Sequence, residues 1–280
     1  MSTMKLFKAF FDLEGIMAFS SEIRPLIFAN NSMGSYISTL PYIHNYPIMY
    51  GLLGKSSEAY AIIPSLHYNE YESRKQKTDK KGLIYNSVKS VIEDFIKDKQ
   101  GSFYVFPLMP ESLNIYSFLM SSESWSYALP VRGGLKNVFP RLTSYTAFMP
   151  GSKFWTYIIV NNNPPGLAKG SRAAWIRVGK KRWGIFKVKY EELKAEKCIN
   201  QNEKMTSIPV NLADTEKFGV EIVSSSTVLR TPNISEGPIA WASIKDCRLI
   251  KVSNKNKTFE DLCLPLPAEV ISKICQNQAT

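Results

Sequence analysis

Alternating apolar and polar residues mark one strand near the start of the chain and one hairpin in its second half. Residues 6–14, LFKAFFDLE, place apolar side chains at every second position, which predicts a strand buried on one face. Residues 174–189, AWIRVGKKRWGIFKVK, alternate up to a Gly-Lys-Lys turn signal and again after it, which predicts a β-hairpin. One face of this hairpin is apolar, and the opposite face carries Trp175, Arg177, Ile185, Lys187 and Lys189.

Helical and strand patterns are mixed along the rest of the chain. Residues 88–96 have apolar side chains at helical spacing, and residues 33–54 are predicted to be helical in two pieces around Pro41 and Pro47. Further elements are predicted as strands at 102–108, 153–160, 218–223 and 247–252 and as a closing helix at 267–275. Because no regular strand–helix–strand spacing appears, the predicted fold class is α+β. Because no repeat or low-complexity linker appears, residues 1–280 are predicted to form a single domain.

Positive charge is concentrated around the hairpin. The chain has 35 Lys and Arg against 24 Asp and Glu, for a formal net charge of +11. In the basic hairpin region, residues 165–197, ten Lys or Arg face only three glutamates. A local excess of this kind favours a polyanionic partner, since cations neutralise phosphates and flat rings stack on unpaired bases. The alternative is a surface hairpin whose lysines serve only solubility, and the residues alone leave both interpretations open.

The remaining composition limits the compartment and the cofactors. Four cysteines without a CxxC pair and only two histidines exclude the common zinc-motif spacings, and no cofactor is expected. Sparse cysteines without a pattern favour a reducing cytoplasm over a secreted disulfide scaffold. Residues 25–54 have no charged side chain, but their asparagines and prolines interrupt any lipid-facing helix. We therefore expect a buried segment there and no membrane partner. Residues 1–15, MSTMKLFKAFFDLEG, lack the apolar stretch of a signal peptide, so none is expected.

His44 and its neighbours have two interpretations. His44 is a candidate general base or RNA contact, with Tyr46 close by, and Asn45 is a candidate reader of a base edge. The alternative is that both polar side chains make structural hydrogen bonds in a packed helix bend. No GxSxG sequence and no cysteine–histidine pair at a recognisable spacing indicates a hydrolase.

Four stretches taken together resemble a known family. They are YIHNYPIMYGLLG (42–54), LTSYTAFMPGSKFWTYIIV (142–160), SRAAWIRVGKKRWGIFKV (171–188) and IPVNLAD (208–214). In order and separation they resemble the Csc-one subunit, the Cas-five-type protein of type I-D CRISPR effector complexes. The resemblance implies a ferredoxin-like, RNA-recognition-type core of the repeat-associated CRISPR protein superfamily, with a thumb-like insertion expected within residues 66–101.

The resemblance also implies a role and partners. A subunit of this type caps one end of the effector and grips the 5′ handle of the guide RNA. It contacts the Cas-seven-type backbone subunit and the large subunit, and it helps to position target DNA. A separate subunit generally processes the guide precursor in type I-D systems, so this chain is expected to be non-catalytic.

Residues expected to bind RNA follow from the hairpin and the resemblance together. The cations of the hairpin are expected to bind phosphates. Trp175 and Trp183 are each expected either to stack on a base or to anchor the hairpin in the core. The full set is Trp175, Arg177, Lys180, Lys181, Arg182, Trp183 and Lys187, then Lys136 and Arg141 near the Gly133-Gly134 turn signal, then His44, Asn45 and Tyr46.

Two other functions stay open at this point. The first is a metal-independent endoribonuclease, in which Tyr46 or His44 acts with a lysine of the hairpin. Such chemistry needs a base for the 2′-hydroxyl and a cation for the developing charge. The second is a basic scaffold protein that binds nucleic acid without any CRISPR role.

Overall fold

The structure is a computed structural model in which antiparallel β-strands predominate. It describes residues 4–17, 22–27, 33–38, 40–54, 86–122, 141–167, 171–178, 183–229, 237–254 and 256–276. The strands are β1 (Met4–Leu13), β2 (Glu22–Ile27), β3 (Met33–Ser38), β4 (Phe103–Val105), β5 (Met109–Ser112), β6 (Ile115–Ser122), β7 (Arg141–Phe148), β8 (Lys153–Asn161), β9 (Ala174–Val178), β10 (Gly184–Met205), β11 (Val210–Asn211), β12 (Ile222–Leu229), β13 (Ile239–Ser253) and β14 (Phe259–Leu262). The helices are α1 (Asn45–Leu52), α2 (Asn86–Ile96), α3 (Leu212–Lys217) and α4 (Ala268–Gln276).

Two sheets are formed within the described ranges. The larger sheet follows the path β11-β13-β10-β1-β8-β4, and β5, β9, β12 and β14 pair onto it. The smaller sheet has the order β2-β3-β7-β6. The predicted α+β class is confirmed in its coarse form: the protein combines helices with strands, and most of the strands are antiparallel.

The centre of the larger sheet is an antiparallel set of four strands. β1 lies between β10 and β8, and β4 pairs with the far side of β8. Along the chain, α1 and α2 come between β1 and β4. Between β8 and β10 the chain forms another strand, β9, which pairs with β10.

The first predicted strand is confirmed. Phe7, Ala9, Phe11 and Leu13 of β1 are buried on one face, as the alternation indicates. Lys8 lies on the opposite face and is partly exposed. The buried face belongs to the main core, to which α1 and α2 also contribute side chains.

The helix prediction for residues 33–54 is correct only for its second piece. α1 has Pro47 in its first turn, where a missing N–H costs nothing, and Gly54 follows its end at φ +65°. Residues 33–38 instead form β3, which pairs with β2 and β7. Pairing with two neighbouring strands satisfies the backbone hydrogen bonds of this segment. Because the segment contains glycine and serine, its helix propensity is low, and the strand is the more stable conformation.

Other predicted elements are mostly confirmed. The strands predicted at 153–160 and 247–252 lie in β8 and β13, and α2 and α4 match the two amphipathic helices. The strand predicted at 218–223 begins only at Ile222, because α3 ends at Lys217 and Gly219 follows in a left-handed conformation, φ +71°. In the predicted thumb region, residues 66–85 lie outside the described residues, whereas α2 buries Ile92 and Phe95 in the core.

The four cysteines form two disulfides, Cys198–Cys275 and Cys247–Cys263. Cys198 lies on β10 and Cys247 on the paired strand β13, while their partners follow in α4 and just after β14. The sparse cysteines of the sequence, which have no CxxC pair, do not indicate this pairing. Separations of 77 and 16 residues give no local sequence pattern. The pairing of β13 with β14 brings Cys263 to Cys247, and the contact of α4 with β10 brings Cys275 to Cys198.

None of the described helices has the length and apolar content needed to cross a membrane.

Candidate nucleic-acid interface

The β9–β10 hairpin has the two faces that its sequence predicts. β9 and β10 pair in register, with Trp175 opposite Lys187 and Arg177 opposite Ile185. The underside contributes side chains that are at most 3% exposed, namely Ile176, Val178, Phe186 and Val188. Burial of these four side chains fixes which residues of the hairpin point outward, since a slip by one residue exchanges the two faces.

Close backbone packing holds the hairpin against its neighbours. Gly51 of α1 lies directly beneath it, and a Cβ there would come within 3.0 Å of Val178 Cγ1. Gly15, just after β1, packs against the other strand, and a Cβ there would lie 2.3 Å from the carbonyl oxygen of Trp183. These two glycines allow the approach, because a larger residue at either place displaces the hairpin.

The outward side of the hairpin combines exposed rings with cations. We call this surface the hairpin face and define it as Trp175, Arg177, Trp183, Ile185 and Lys187. Trp175 is 58% exposed and Trp183 48% exposed, so neither tryptophan anchors the hairpin in the core. The Nζ atom of Lys187 lies 5.7 Å from the centre of the Trp175 ring, within the range of a cation–π contact.

A shallow depression lies at the turn end of the hairpin face. Ile16, Arg177, Trp183 and Ile185 line it, and its volume is about 350 Å³. Ile16 itself is 41% exposed. An indole and a guanidinium at one small apolar depression offer stacking and charge in the same place, which suits a flat, anionic ligand such as a nucleotide. Ile16 was not among the predicted residues, because nothing in the sequence shows that the segment after β1 reaches the hairpin.

Several predicted RNA-binding residues cannot be placed. Lys180, Lys181 and Arg182 of the turn, and Lys136, lie outside the described residues. Arg141 is the first residue of β7. The interface is therefore built on the strands of the hairpin.

One cation beside the hairpin face is neutralised within the protein. Lys189 Nζ lies 2.8 Å from a carboxylate oxygen of Asp12. The hydrogen bond and the negative charge of Asp12 raise the pKa of Lys189 above its ordinary value. Lys189 is thus charged at neutral pH, but its charge is compensated by the Asp12 carboxylate on β1. No ion pair of Arg177 or Lys187 is found among the described residues.

His44, Asn45 and Tyr46 lie in the interior, which corrects their assignment to RNA. Their exposed fractions are 1%, 0% and 0%. His44 caps α1 by accepting a hydrogen bond from the backbone N–H of Tyr46 at Nδ1, and its Nε2 lies 3.3 Å from the carbonyl oxygen of Gly237. The structural alternative for His44 and Asn45 is the one that the structure supports, because a side chain without solvent exposure has no surface for RNA.

The centre of this interior network is Asp214. Tyr46 and Tyr104 donate hydroxyl hydrogen bonds to its carboxylate at 2.7 and 3.0 Å, and Asn45 donates its amide at 2.9 Å. Burial and the neighbouring carboxylate raise the pKa of Tyr104 well above its ordinary value. Lys217, at 3.6 Å from the carboxylate, is the nearest countercharge. The network joins the start of α1 to α3, so it stabilises the fold rather than a ligand.

Two of the four stretches that carry the family resemblance therefore meet inside the protein. HNY (44–46) and NLAD (211–214) are connected through Asp214, and Asn211 also donates its amide to the side-chain oxygen of Asn45 at 3.2 Å. The sequence contained both stretches but no sign that they touch.

Comparison with protein families identifies the chain. The family model of the type I-D CRISPR-associated protein Cas5/Csc1 matches residues 23–266. The chain belongs to this family. The match includes α1, the basic hairpin and α3, and it confirms the resemblance drawn from the four sequence stretches.

Comparisons with individual proteins add little. No curated protein matches the chain. Among solved structures, the chain is similar to one from a cryo-EM structure of the type III-B Cmr-beta complex bound to cognate target RNA and AMPPnP, with a TM-score of 0.37 and 11% identity over 85% of this chain and 86% of the other.

Proposed function

We propose that this protein is the non-catalytic subunit that caps the 5′ handle of the guide RNA in a type I-D CRISPR effector complex. The hairpin face is the observation that carries the proposal: two exposed tryptophans beside Arg177 and Lys187, in a member of the Cas5/Csc1 family. Single-stranded RNA is recognised by this combination of rings and cations.

The arrangement of the central strands supports a ferredoxin-like core. In the order β10-β1-β8-β4 all neighbours are antiparallel, and α1 and α2 precede β4 in the chain. A ferredoxin-like unit has the same order across its sheet, with a second helix before its last strand. Here β9 occupies that place in the chain, and we propose that the fold is a variant in which the second helix has been replaced by the basic hairpin.

The proposed partners follow from the capping role. Besides the guide RNA, they are the Cas-seven-type backbone subunit, the large subunit and the target DNA, in the cytoplasm. The two disulfides do not argue against the cytoplasm by themselves, because some intracellular proteins of hyperthermophiles are rich in disulfides.

The burial of His44 and Tyr46 supports a non-catalytic role over the endoribonuclease alternative. A general base has to reach the proton that it removes, and both side chains are closed off from solvent and hydrogen-bonded within the protein.

Reconstitution of the effector with and without this chain tests the proposal. In complexes assembled on a guide RNA, the 5′ handle should resist ribonuclease when this protein is present and be digested when it is omitted. The rest of the guide should be protected equally in both preparations. Equal protection of the handle with and without this chain would contradict the proposal.

A further inference from the structure

The surface of the hairpin continues across the central sheet. Directly paired residues of antiparallel strands point to the same side. By this rule Trp175, Lys187, Asp12 and Lys153 form one row across β9, β10, β1 and β8. The row begins on the hairpin face and ends two strands beyond it.

The next row along the strands places two aromatic rings side by side on the central strands. Lys189 pairs with Phe10, Phe10 pairs with Trp155, and Trp155 pairs with Met109 of β5. Phe10 and Trp155 are each half-buried, and Trp155 also packs against the core. We call Phe10, Trp155, Lys153, Lys187 and Lys189 the sheet face.

The two ends of this side of the sheet differ. At one end Leu6, Ile159 and Leu193 form a row of buried residues, and α4 contacts both β1 and β10. At the end with Phe10 and Trp155 the row is partly exposed instead. Among the described residues, the buried row thus lies at one end of this side of the sheet, and the row with the aromatic rings lies toward the end that carries the hairpin.

The charges of the sheet face favour an anionic ligand. No ion pair of Lys153 or Lys187 is found in the described part of the chain. Lys8 Nζ lies 4.7 Å above the Trp155 ring and 3.3 Å from a carboxylate oxygen of Glu260. Lys8 thus lies over the Trp155 ring, and Lys189 is the register neighbour of Phe10. These two lysines are paired with Glu260 and Asp12, so the positive charge that this face offers to a ligand is that of Lys153 and Lys187.

We propose that the sheet face receives unpaired bases of the RNA strand that the hairpin face holds, with Phe10 and Trp155 as the stacking rings. This inference rests on the proposed function. Aromatic rings on the two central strands of a four-stranded sheet are how RNA-recognition sheets bind bases. From the strand spacing and the rise per residue, Phe10 lies about 12 Å from Trp175, so one RNA strand can contact both faces.

The experiment compares variants in which an aromatic ring is replaced by a smaller apolar side chain that cannot stack. Phe10→Leu with Trp155→Leu removes stacking from the sheet face, and Trp175→Leu removes it from the hairpin face. Phe259→Leu is the matched control, because Phe259 is 57% exposed on β14 and belongs to neither face. The probe is a single-stranded RNA that carries the repeat-derived 5′ handle, titrated against the full-length chain, with circular dichroism and thermal unfolding to confirm that each variant folds.

Base stacking on an aromatic ring corresponds to an affinity loss of about 5- to 150-fold when the ring is removed. We expect the Phe10→Leu/Trp155→Leu variant to bind the RNA at least 5-fold more weakly than the wild type and the Phe259→Leu variant to bind normally. If Trp175→Leu weakens binding while the sheet-face variant binds like the control, the inference is overturned and the proposed function stands. If the sheet-face variant binds RNA normally but fails to assemble with the other effector subunits, the face is a protein interface and the inference is overturned as well. If the wild type does not bind the handle at all, both the proposed function and the inference fail.

Discussion

Tyr46 and Asp214 lie 168 residues apart in the chain and share a 2.7 Å hydrogen bond in the interior. The bond ties α1, which begins directly after His44, to α3. A tyrosine hydroxyl that donates to a buried carboxylate is a charge-assisted bond, and such bonds are the stronger ones in proteins. The pair therefore links the stability of the fold to two stretches that characterise the family.

Loss of this hydrogen bond should destabilise the protein without affecting RNA binding. For Tyr46→Phe we expect the free energy of unfolding to fall by about 1.5–3 kcal/mol, because a buried carboxylate loses a donor. Urea unfolding measures this change. Tyr116→Phe is the control, since Tyr116 is 60% exposed and its change should be within about 0.5 kcal/mol. A Tyr46→Phe variant that folds normally but binds RNA much more weakly would contradict the structural assignment.

Charge reversal on the hairpin face should weaken RNA binding and its salt dependence. In Arg177→Glu/Lys187→Glu we expect a large loss of affinity for the 5′ handle. Even neutral substitutions should lower the slope of log affinity against log salt by about 0.7 for each lost phosphate contact. Lys204→Glu is the matched control, because Lys204 is an exposed lysine at the far end of the same strand, β10. Unchanged affinity and slope in the hairpin variant would exclude this surface from RNA binding.

The protein should lose stability at alkaline pH. Burial, and then the nearby Glu260 carboxylate, raise the pKa of Tyr157 well above its ordinary value of about 10. Burial also raises the pKa of Tyr190. Above pH 10 the unfolded chain loses these protons while the folded protein keeps them, so the free energy of unfolding falls as the pH rises.

Tyr157→Phe tests this assignment. Without the ionisable hydroxyl, the decline in stability above about pH 10 should be shallower than in the wild type. Chemical denaturation between pH 8 and about pH 11 measures it. A Tyr157→Phe profile identical to that of the wild type would show that Tyr157 does not contribute.

Reduction of the disulfides should destabilise the chain. Each disulfide of this kind contributes about 2–4 kcal/mol by restricting the unfolded state, so dithiothreitol should lower the melting temperature. Cys247 and Cys263 are buried, whereas Cys198 and Cys275 are partly exposed, so the Cys198–Cys275 bond should be reduced first. Alkylation and mass spectrometry of the native protein measure both states. Four alkylated cysteines before any reduction would contradict the pairing.

The sequence was most informative where side chains repeat with a fixed period. The hairpin and β1 were predicted correctly because alternation every second residue determines which side chains are buried. The sequence did not determine whether Trp175 and Trp183 are exposed or packed in the core. Their exposure depends on the register of β9 against β10 and on which face of the hairpin is buried. Because Phe186 and Val188 are buried on the underside, the tryptophans lie on the outward side.

The sequence was least informative where residues meet across long separations. The contact of Asn45 with Asp214 and the pairing of Phe10 with Trp155 depend on the order of strands in the sheet, which no local pattern contains. The same holds for Cys198 and Cys275. For residues 33–38 a weak local pattern predicted a helix, but these residues form β3, because pairing with β2 and β7 stabilises a strand there.

The most direct test of the account is whether the protein binds the guide's 5′ handle without cutting it. Purified full-length protein is incubated with labelled repeat RNA in EDTA and analysed on a native gel beside a denaturing gel. The account predicts a shifted complex that is lost when the handle sequence is scrambled, with the RNA intact on the denaturing gel. A discrete cleavage product, or equal binding to the scrambled RNA, would contradict it.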